Sequence, residues 1–356
     1  MAHPRDGQRR DAASDPLSWI VVPRLFLATI AALAIGALLT APAGAAGAGN
    51  PWLERRVIDL AHQGGEWEAP SNTIYAFRRA VRKGSDMLEL DVHTTADGHL
   101  VVIHDAKVDR TTNGSGLVSE MELRAVRKLD AAYNFVPGRN AVRGLPPEEY
   151  PLRGVRTGDR RPPGRPGRYK RRDFRIPTLG EIFRRFPNKP INIEIKGDSD
   201  SDLESFERTA ERLATFLNAR PERADQVIVV SFNDAAVARF HELAPAFGTA
   251  PGLASVAAYV ATGVPPQGDH EAIQIPVQFE GVPVATADFV ARAHADGFAV
   301  HIFPDHEEES DELYRELHSL CVDGIMTAYP SRYERYLKRE NVIGPGREGG
   351  ADPCGA

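Results

Sequence analysis

Between residues 86 and 93 the chain alternates strictly: Leu88, Leu90 and Val92 fall on one face of an extended strand, and Glu89, Asp91 and His93 fall on the other. Few folds tolerate such a strand, because a buried carboxylate is costly unless a cation or hydrogen-bond donors neutralise it. Residues 191–196 repeat the pattern, with Ile191, Ile193 and Ile195 on one side and Asn192, Glu194 and Lys196 on the other. A closed barrel satisfies both faces at once, since the aliphatic side packs against surrounding helices while the polar side projects inward.

Short β-type runs recur at 57–61, 87–92, 100–103, 191–195, 227–230, 272–275, 298–303 and 324–327. Helical periodicity fills intervals at 71–83, 178–186, 201–217, 234–243, 286–296 and 310–320, with Ser71 and Thr178 as N-caps. The alternation implies parallel βαβ units and predicts an α/β fold, a TIM (β/α)8-type barrel, rather than an open doubly wound sheet. No glycine-rich dinucleotide fingerprint interrupts it. Residues 137–173 break the rhythm as an Arg/Pro/Gly-rich insertion. Eleven Arg/Lys against four Asp/Glu give it +7, so with −6 for the whole chain the remainder carries −13. It reads either as a solvated excursion or as a positive rim over a site for an anionic substrate.

The ends stand apart from this domain of residues 46–343. Arg5, Arg9, Arg10 and Arg24 precede an apolar run from Leu25 to Leu39, and Ala43-Gly44-Ala45 fits a signal-peptidase site. Residues 1–45 are therefore expected to be a signal peptide, with an uncleaved membrane anchor as the competing reading, and the protein is expected to be exported, secreted or at the cell surface. At 42% hydrophobic and 26% charged residues the whole chain has an ordinary soluble composition, and its net charge of −6 gives no reason to invoke nucleic acid. A bridge between Cys321 and Cys354 is open in an oxidising compartment, but the favoured expectation is that they remain unpaired, one buried among apolar residues and the other in a disordered tail, residues 344–356.

Three inward carboxylates, Glu89, Asp91 and Glu194, make a hard, oxygen-only site suited to Ca2+ or Mg2+, and Lys196 beside them suits a phosphate. His62 and His104 each end a β-type run, which in a parallel barrel sends both to one mouth. Phosphodiester cleavage needs a base for the attacking oxygen and an acid for the leaving alkoxide, and imidazole can do either near neutrality. His93 is expected to hydrogen-bond within the barrel, and Asp105 and Arg110 to brace the loop after His104 rather than contact substrate. The acidic run 305–312 is expected to be a solvated loop and helix start, with the alternative that it edges the mouth because it follows a strand.

The strings Ala61-His62-Gln63-Gly64-Gly65, Pro70-Ser71-Asn72-Thr73, Glu89-Leu90-Asp91-Val92, His104-Asp105 with Arg110-Thr111-Thr112, Ile176-Pro177-Thr178-Leu179, Asn192-Ile193-Glu194-Ile195-Lys196 and Val322-Asp323-Gly324-Ile325-Met326-Thr327 follow in this order. Together, over residues 57–337, they closely resemble the glycerophosphodiester phosphodiesterase family. The resemblance implies a TIM barrel whose metal, calcium or magnesium, is held by Glu89, Asp91 and Glu194. It also implies His62 as general base, His104 as general acid, Lys196 on phosphate and Asn72 near the metal. The products would be a glycerol phosphate and an alcohol.

Three departures stand out: Gln63 where the family usually has Arg, Ala328 where it usually has Asp, and Phe303-Pro304 where relatives often carry Trp-Thr. Gln63 offers phosphate a neutral donor in place of a bidentate cation, and Phe303 alters the alcohol pocket. A soluble glycerophosphodiester is thus the expected substrate. The alternatives are a membrane-facing lysophospholipase D or phospholipase C acting on a lysophospholipid or related lipid, and an inactive barrel that only binds phosphate-bearing ligands.

Overall fold

The structure, a computed structural model, describes residues 49–355. The expected signal segment, residues 1–45, lies outside them. Eight parallel strands form the frame: β1 (Ile58–Ala61), β2 (Met87–Thr94), β3 (Ile191–Ile195), β4 (Val227–Val230), β5 (Gly248–Thr249), β6 (Ala272–Pro276), β7 (Ala299–Phe303) and β8 (Gly324–Thr327). Their order around the sheet is β5-β4-β3-β2-β1-β8-β7-β6, so sequence neighbours are spatial neighbours throughout. The ring closes where Thr249 bridges His270 and the Glu271 N–H donates to the Thr249 carbonyl.

Each strand is followed by its own helix: α1 (Ile74–Lys83), α2 (Leu179–Arg185), α3 (Leu203–Asn218), α4 (Asp234–Leu243), α5 (Leu253–Thr262), α6 (Ala287–Ala295), α7 (Asp311–Ser319) and α8 (Pro330–Arg339). This is the (β/α)8 barrel expected from the alternation. The sequence pattern passed over β5, only two residues long, and helices α5 and α8. The cap of α1 also moves: Thr73, not Ser71, accepts the Ala76 N–H, at 3.1 Å. Thr178 caps α2 as expected, in a box with Glu181.

The two-faced strands do what their period demands. Leu88, Leu90, Val92, Ile191, Ile193 and Ile195 are fully buried in the layer between barrel and helices, beside Phe77, Leu213 and Leu217. Each contributes about 1.5–3 kcal/mol of burial, enough together to hold the opposite, polar face in a closed interior. At the other end of the barrel from the strands' C-terminal mouth, Trp52 of the short helix Pro51–Glu54 packs on Leu60, Met87, Ala272, Ala299 and Met326. Its indole donates to Glu271 at 2.7 Å.

One expected barrel strand is not one. Leu100–Val102 runs antiparallel to β2, pairing Val92 with Val102 and Thr94 with Leu100. It folds back as a hairpin over the C-terminal end of the barrel, because residues 95–99 make a tight turn in which Gly98 takes a φ of 80°. The insertion 137–173 is packed rather than loose: its Leu152, Val155 and Tyr169 form a small cluster with Ala132, Phe135 and Phe174 on either side of it.

The C-terminal residues are ordered to Gly355, contrary to the expected tail. Ala351 bridges Val342, and Arg347 reaches back to donate to the Val57 carbonyl at 2.8 Å and to Asp86 at 3.0 Å. Cys354 is joined to Cys321 in a disulfide with Cα atoms 5.4 Å apart, so the expectation of two free thiols is corrected as well. The reach of the tail brings the sulfurs together, and nothing local to either cysteine foretells it. Among the described residues no helix is long and apolar enough to cross a membrane.

Candidate active site

The register of β2 against β3 sets Asp91 beside Glu194 and Glu89 beside Asn192 on the interior face. Oxygens of Glu89, Asp91 and Glu194 converge so that ligand atoms of all three lie within 4.8 Å of one another, the only such cluster of potential metal ligands among the described residues. Lys196 contributes a positive charge, its Nζ 2.6 Å from Glu194 Oε1 and 3.4 Å from Asp91 Oδ1. Three carboxylates against one ammonium leave two negative charges in a buried place before the histidines are counted, and Asp91 Oδ1 has no hydrogen-bond partner there. That donor set fits a divalent cation of the oxygen-seeking kind. Burial and the neighbouring Asp91 push the Glu89 carboxyl well above its ordinary range. Asp91 stays below its own despite burial, held down by His104, Lys196, His62 and the Asn72 amide.

The loop after β1 aims its groups by unusual backbone. Gln63 (φ 49°) and Asn72 (φ 57°) are left-handed, a conformation costing a non-glycine residue on the order of 1 kcal/mol. In exchange the Gln63 N–H donates to Glu89 Oε2 at 2.7 Å and the Asn72 amide donates to Asp91 Oδ2 at 2.8 Å. Gln63 therefore reaches the site through its backbone, while its side-chain Oε1 is buried without a partner. Gly65, at φ 87°, lies so close to Pro330 that a Cβ would fall 2.5 Å from the proline ring.

Both histidines arrive at the mouth, by different routes. His62 follows β1 directly. His104 comes at the end of the antiparallel hairpin strand, so the residue was foreseen but the reason, a parallel strand end, was wrong. Each imidazole is fixed at Nδ1 by a carboxylate: His62 to Glu66 Oε1 at 2.7 Å, and His104 to Asp105 Oδ1 at 2.8 Å. An Nδ1–H donated to a carboxylate leaves Nε2 for the reaction. His62 Nε2 lies 3.9 Å from Glu89 Oε2, and His104 Nε2 lies 3.3 Å from Lys196 Nζ.

Burial opposes charge on His62, but Glu66 and Glu89 outweigh it and push it up to about 10 in the absence of a cation. Asp105 is held far below the carboxylate range against its burial by His104 and by Arg110, whose Nε and terminal nitrogen grip it at 2.7 and 2.8 Å. Asp105 and Arg110 thus hold the His104 ring itself, where the expectation was that they brace the loop after it. His93, lowered to about 4 by burial, is neutral and donates from Nε2 to the His104 carbonyl at 3.0 Å.

Phe303, at the end of β7, faces Phe232 with ring centroids 6.3 Å apart, and Phe232 is 44% exposed and lies 5.7 Å from Lys196 Nζ. Two carboxylates escaped the sequence reading. Glu66 sits in a loop with no period. Glu309 belongs to the acidic run read as solvated, yet it is 3% exposed, and burial raises it to about 7. It accepts the Ala328 N–H at 2.7 Å and the hydroxyls of Thr327 and Tyr314. A carboxylate from the β7–α7 loop thereby receives the turn at Ala328, where family members usually carry their own aspartate.

Comparison with known proteins agrees with this geometry. Residues 62–332 match the glycerophosphoryl diester phosphodiesterase family. A glycerophosphodiester phosphodiesterase of Bacillus altitudinis is 30% identical over 280 residues, 77% of this chain and 95% of the relative. One from Caldanaerobacter subterraneus is 35% identical over 192 residues, 53% of this chain and 64% of the relative. Among solved structures, an Oleispira antarctica phosphodiesterase in complex with the product sn-glycerol-3-phosphate shares the fold at a TM-score of 0.56. It is 20% identical, and the match covers 80% of this chain and 97% of that one. A match over most of the described domain, together with converging carboxylates and paired histidines at the mouth of a (β/α)8 barrel, means that the chain belongs to the glycerophosphoryl diester phosphodiesterase family.

Proposed function

We propose that this chain is an exported, divalent-metal-dependent phosphodiesterase that hydrolyses a glycerophosphodiester to a glycerol phosphate and an alcohol. One observation carries the reading. Two partly exposed imidazoles, each fixed at Nδ1 by its own carboxylate, flank three converging carboxylates and a lysine. A binding module has no use for a general acid and a general base.

In this reading Glu89, Asp91 and Glu194 would hold Ca2+ or Mg2+, which together with Lys196 would balance their three charges, relieve the pull of Glu89 on His62 and supply stabilisation of negative charge on the phosphoryl oxygens. His62 Nε2 accepts the proton of the attacking oxygen, with Glu66 stabilising the imidazolium. His104 Nε2 delivers its proton to the leaving alkoxide as the phosphorus–oxygen bond breaks. Lys196 turns its ammonium from His104 to a phosphate oxygen, and Asn72 keeps Asp91 in place. Phe303 and Phe232 wall the alcohol side. Gln63 supports Glu89 through its N–H rather than touching phosphate with its side chain.

The test is product analysis on a panel of glycerophosphodiesters and a lysophospholipid, with Ca2+, Mg2+ or EDTA. Metal-dependent release of a glycerol phosphate is expected. Turnover confined to the acylated substrate would replace the reading with that of a lipid phosphodiesterase, to which the exposed Phe232 lends an apolar contact. No turnover with any metal would leave the inactive barrel. Export rests on the Ala43-Gly44-Ala45 pattern and is tested separately, by mass spectrometry of the secreted protein. The first residue should lie near Ala46, and an intact hydrophobic run would overturn export by cleavage.

A further inference from the structure

Residues 160–172 carry seven cations, Arg160, Arg161, Arg165, Arg168, Lys170, Arg171 and Arg172, and no acid. All seven side chains are exposed, and among the described residues none lies within ion-pair distance of a carboxylate. The neighbours are treated differently. Arg78 is paired with Asp173, Arg79 with Glu68, and Arg127 and Arg175 with Glu181. The rest of the chain has carboxylates to spare, yet among the described residues none forms an ion pair with a cation of this stretch, and Asp173 takes from it only the Lys170 backbone N–H, at 3.0 Å. The ribbon is nonetheless fastened down. Tyr169 is 6% exposed, packs on Tyr75 at 4.6 Å between ring centroids, and lies under the guanidinium groups of Arg78 and Arg82 at 4.9 and 5.2 Å. Between α1 and α2 the patch continues into a depression of about 450 Å3 lined by Arg172, Arg175, Arg184 and Arg185, with Asp173 and Glu181 already engaged in the pairs above.

Holding seven like charges on a fixed ribbon is repulsive, and an anionic partner relieves it. The chemistry narrows the partner. The only aromatic side chain of the ribbon, Tyr169, is buried, so nothing is offered for bases to stack upon, as single-stranded nucleic acid would require. None of the exposed large hydrophobic residues, Leu203, Phe232, Val264 and Val282, belongs to the insertion, so the apolar anchor of a protein interface is missing too. A cluster of exposed cations without an aromatic platform or an apolar anchor matches the diffuse charge of a bilayer. We propose that residues 160–172 dock the enzyme electrostatically on a membrane surface rich in anionic phospholipid.

The experiment is co-sedimentation of the full chain with vesicles of phosphatidylcholine, alone or mixed with phosphatidylglycerol, across a salt series. Binding should require phosphatidylglycerol and fall steeply with salt. The variant R160Q/R161Q/R165Q/R168Q should partition on the order of 100-fold or more weakly, since each cation near an anionic surface contributes a several-fold gain. Its melting temperature and its turnover of a soluble diester should match wild type, because none of these side chains belongs to the catalytic site. Equal partition of variant and wild type would overturn the proposal. So would binding that ignores both salt and phosphatidylglycerol, which would trace to the N-terminal apolar run, or heparin outcompeting the vesicles at equal charge, which would make the partner a soluble polyanion.

Discussion

Two groups of three acids are held inside this molecule, and they are neutralised in opposite ways. At the mouth, Glu89, Asp91 and Glu194 converge and share one protein cation, Lys196. Behind β1, against α8, Asp59, Asp86 and Glu334 are 0, 6 and 2% exposed, but their oxygens do not converge in the same manner. There Arg347 bonds Asp86 at 3.0 Å and stands 3.5 Å from Glu334, while Lys338 takes the other Glu334 oxygen at 3.0 Å. Burial of carboxylates alone therefore does not make a metal site. What distinguishes the mouth is convergence of oxygens with too little fixed positive charge, which leaves room for an exchangeable cation. The second cluster receives a guanidinium that arrives on the chain's own end, fastened by Cys321–Cys354. One cluster should accordingly govern chemistry, the other stability.

The sharpest division is expected from the histidines. His104→Ala should cost on the order of 10²–10⁴ in rate on an alkyl diester and distinctly less on a nitrophenyl one, whose leaving group scarcely needs a proton. His62→Ala should impair both substrates alike. The melting temperature should hold in each. The reverse pattern across the two substrates would exchange the acid and base roles.

Arg347→Met should do the opposite. Leaving Asp86 and Glu334 without their guanidinium should lower stability by about 3–5 kcal/mol in denaturant titrations, with kcat of the folded enzyme unchanged. Cys354→Ser, which opens a 33-residue loop, should lower it by about 2–4 kcal/mol. A loss of kcat without a loss of stability in either variant would break the division between the clusters.

Glu66→Gln keeps an acceptor for His62 Nδ1 but removes its charge. A fall of roughly 10–100-fold in kcat, with KM nearly constant and the pH–rate profile displaced, is the result expected of an orienting carboxylate. An unmoved pH profile would leave Glu66 with a packing role only.

Removing the cation with EDTA should abolish activity and withdraw roughly 2.7 kcal/mol of stability if the metal had stood at 100 times its Kd. Glu89→Gln and Glu194→Gln should weaken this stabilisation, whereas Asp86→Asn should leave it intact. A melting temperature indifferent to EDTA would argue that no metal sits at the mouth.

The smallest effect concerns Asp59, whose two oxygens have no hydrogen-bond partner. Burial, with Glu334 and Asp86 adding repulsion, raises its carboxyl well above the ordinary value. A raised folded-state value means tighter proton binding in the folded form. The contribution to stability is therefore full below the ordinary carboxyl range and is lost as pH climbs through the raised value. Asp59→Asn should match wild type in acid and exceed it at alkaline pH. Parallel stability curves for the two proteins at all pH would remove Asp59 as an ionising burden.

By itself the sequence determined the period-2 strands, and hence that Glu89, Asp91 and Glu194 share the barrel interior while the leucines and isoleucines face the helices. This follows because side chains alternate across any extended strand whatever surrounds it. It also determined where α2 begins, since Thr178 at its N-cap acts within three residues, though not the cap of α1, which moved from Ser71 to Thr73. What lay beyond it depends on contacts between segments far apart. The hairpin that swings His104 over the mouth is set by pairing with β2, which a run of four apolar residues does not reveal. Glu66 reaches His62 only because Gln63, Gly64 and Gly65 turn the backbone left-handed. Glu309 looks like one more solvated acid until the Ala328 turn folds onto it. Arg347 and Cys354 resemble a loose tail because their partners Asp86 and Cys321 lie 261 and 33 residues away. Periodicity is a local property of the backbone, whereas the pairing of buried charges is a property of the closed fold, and only the tertiary structure decides which cation meets which acid.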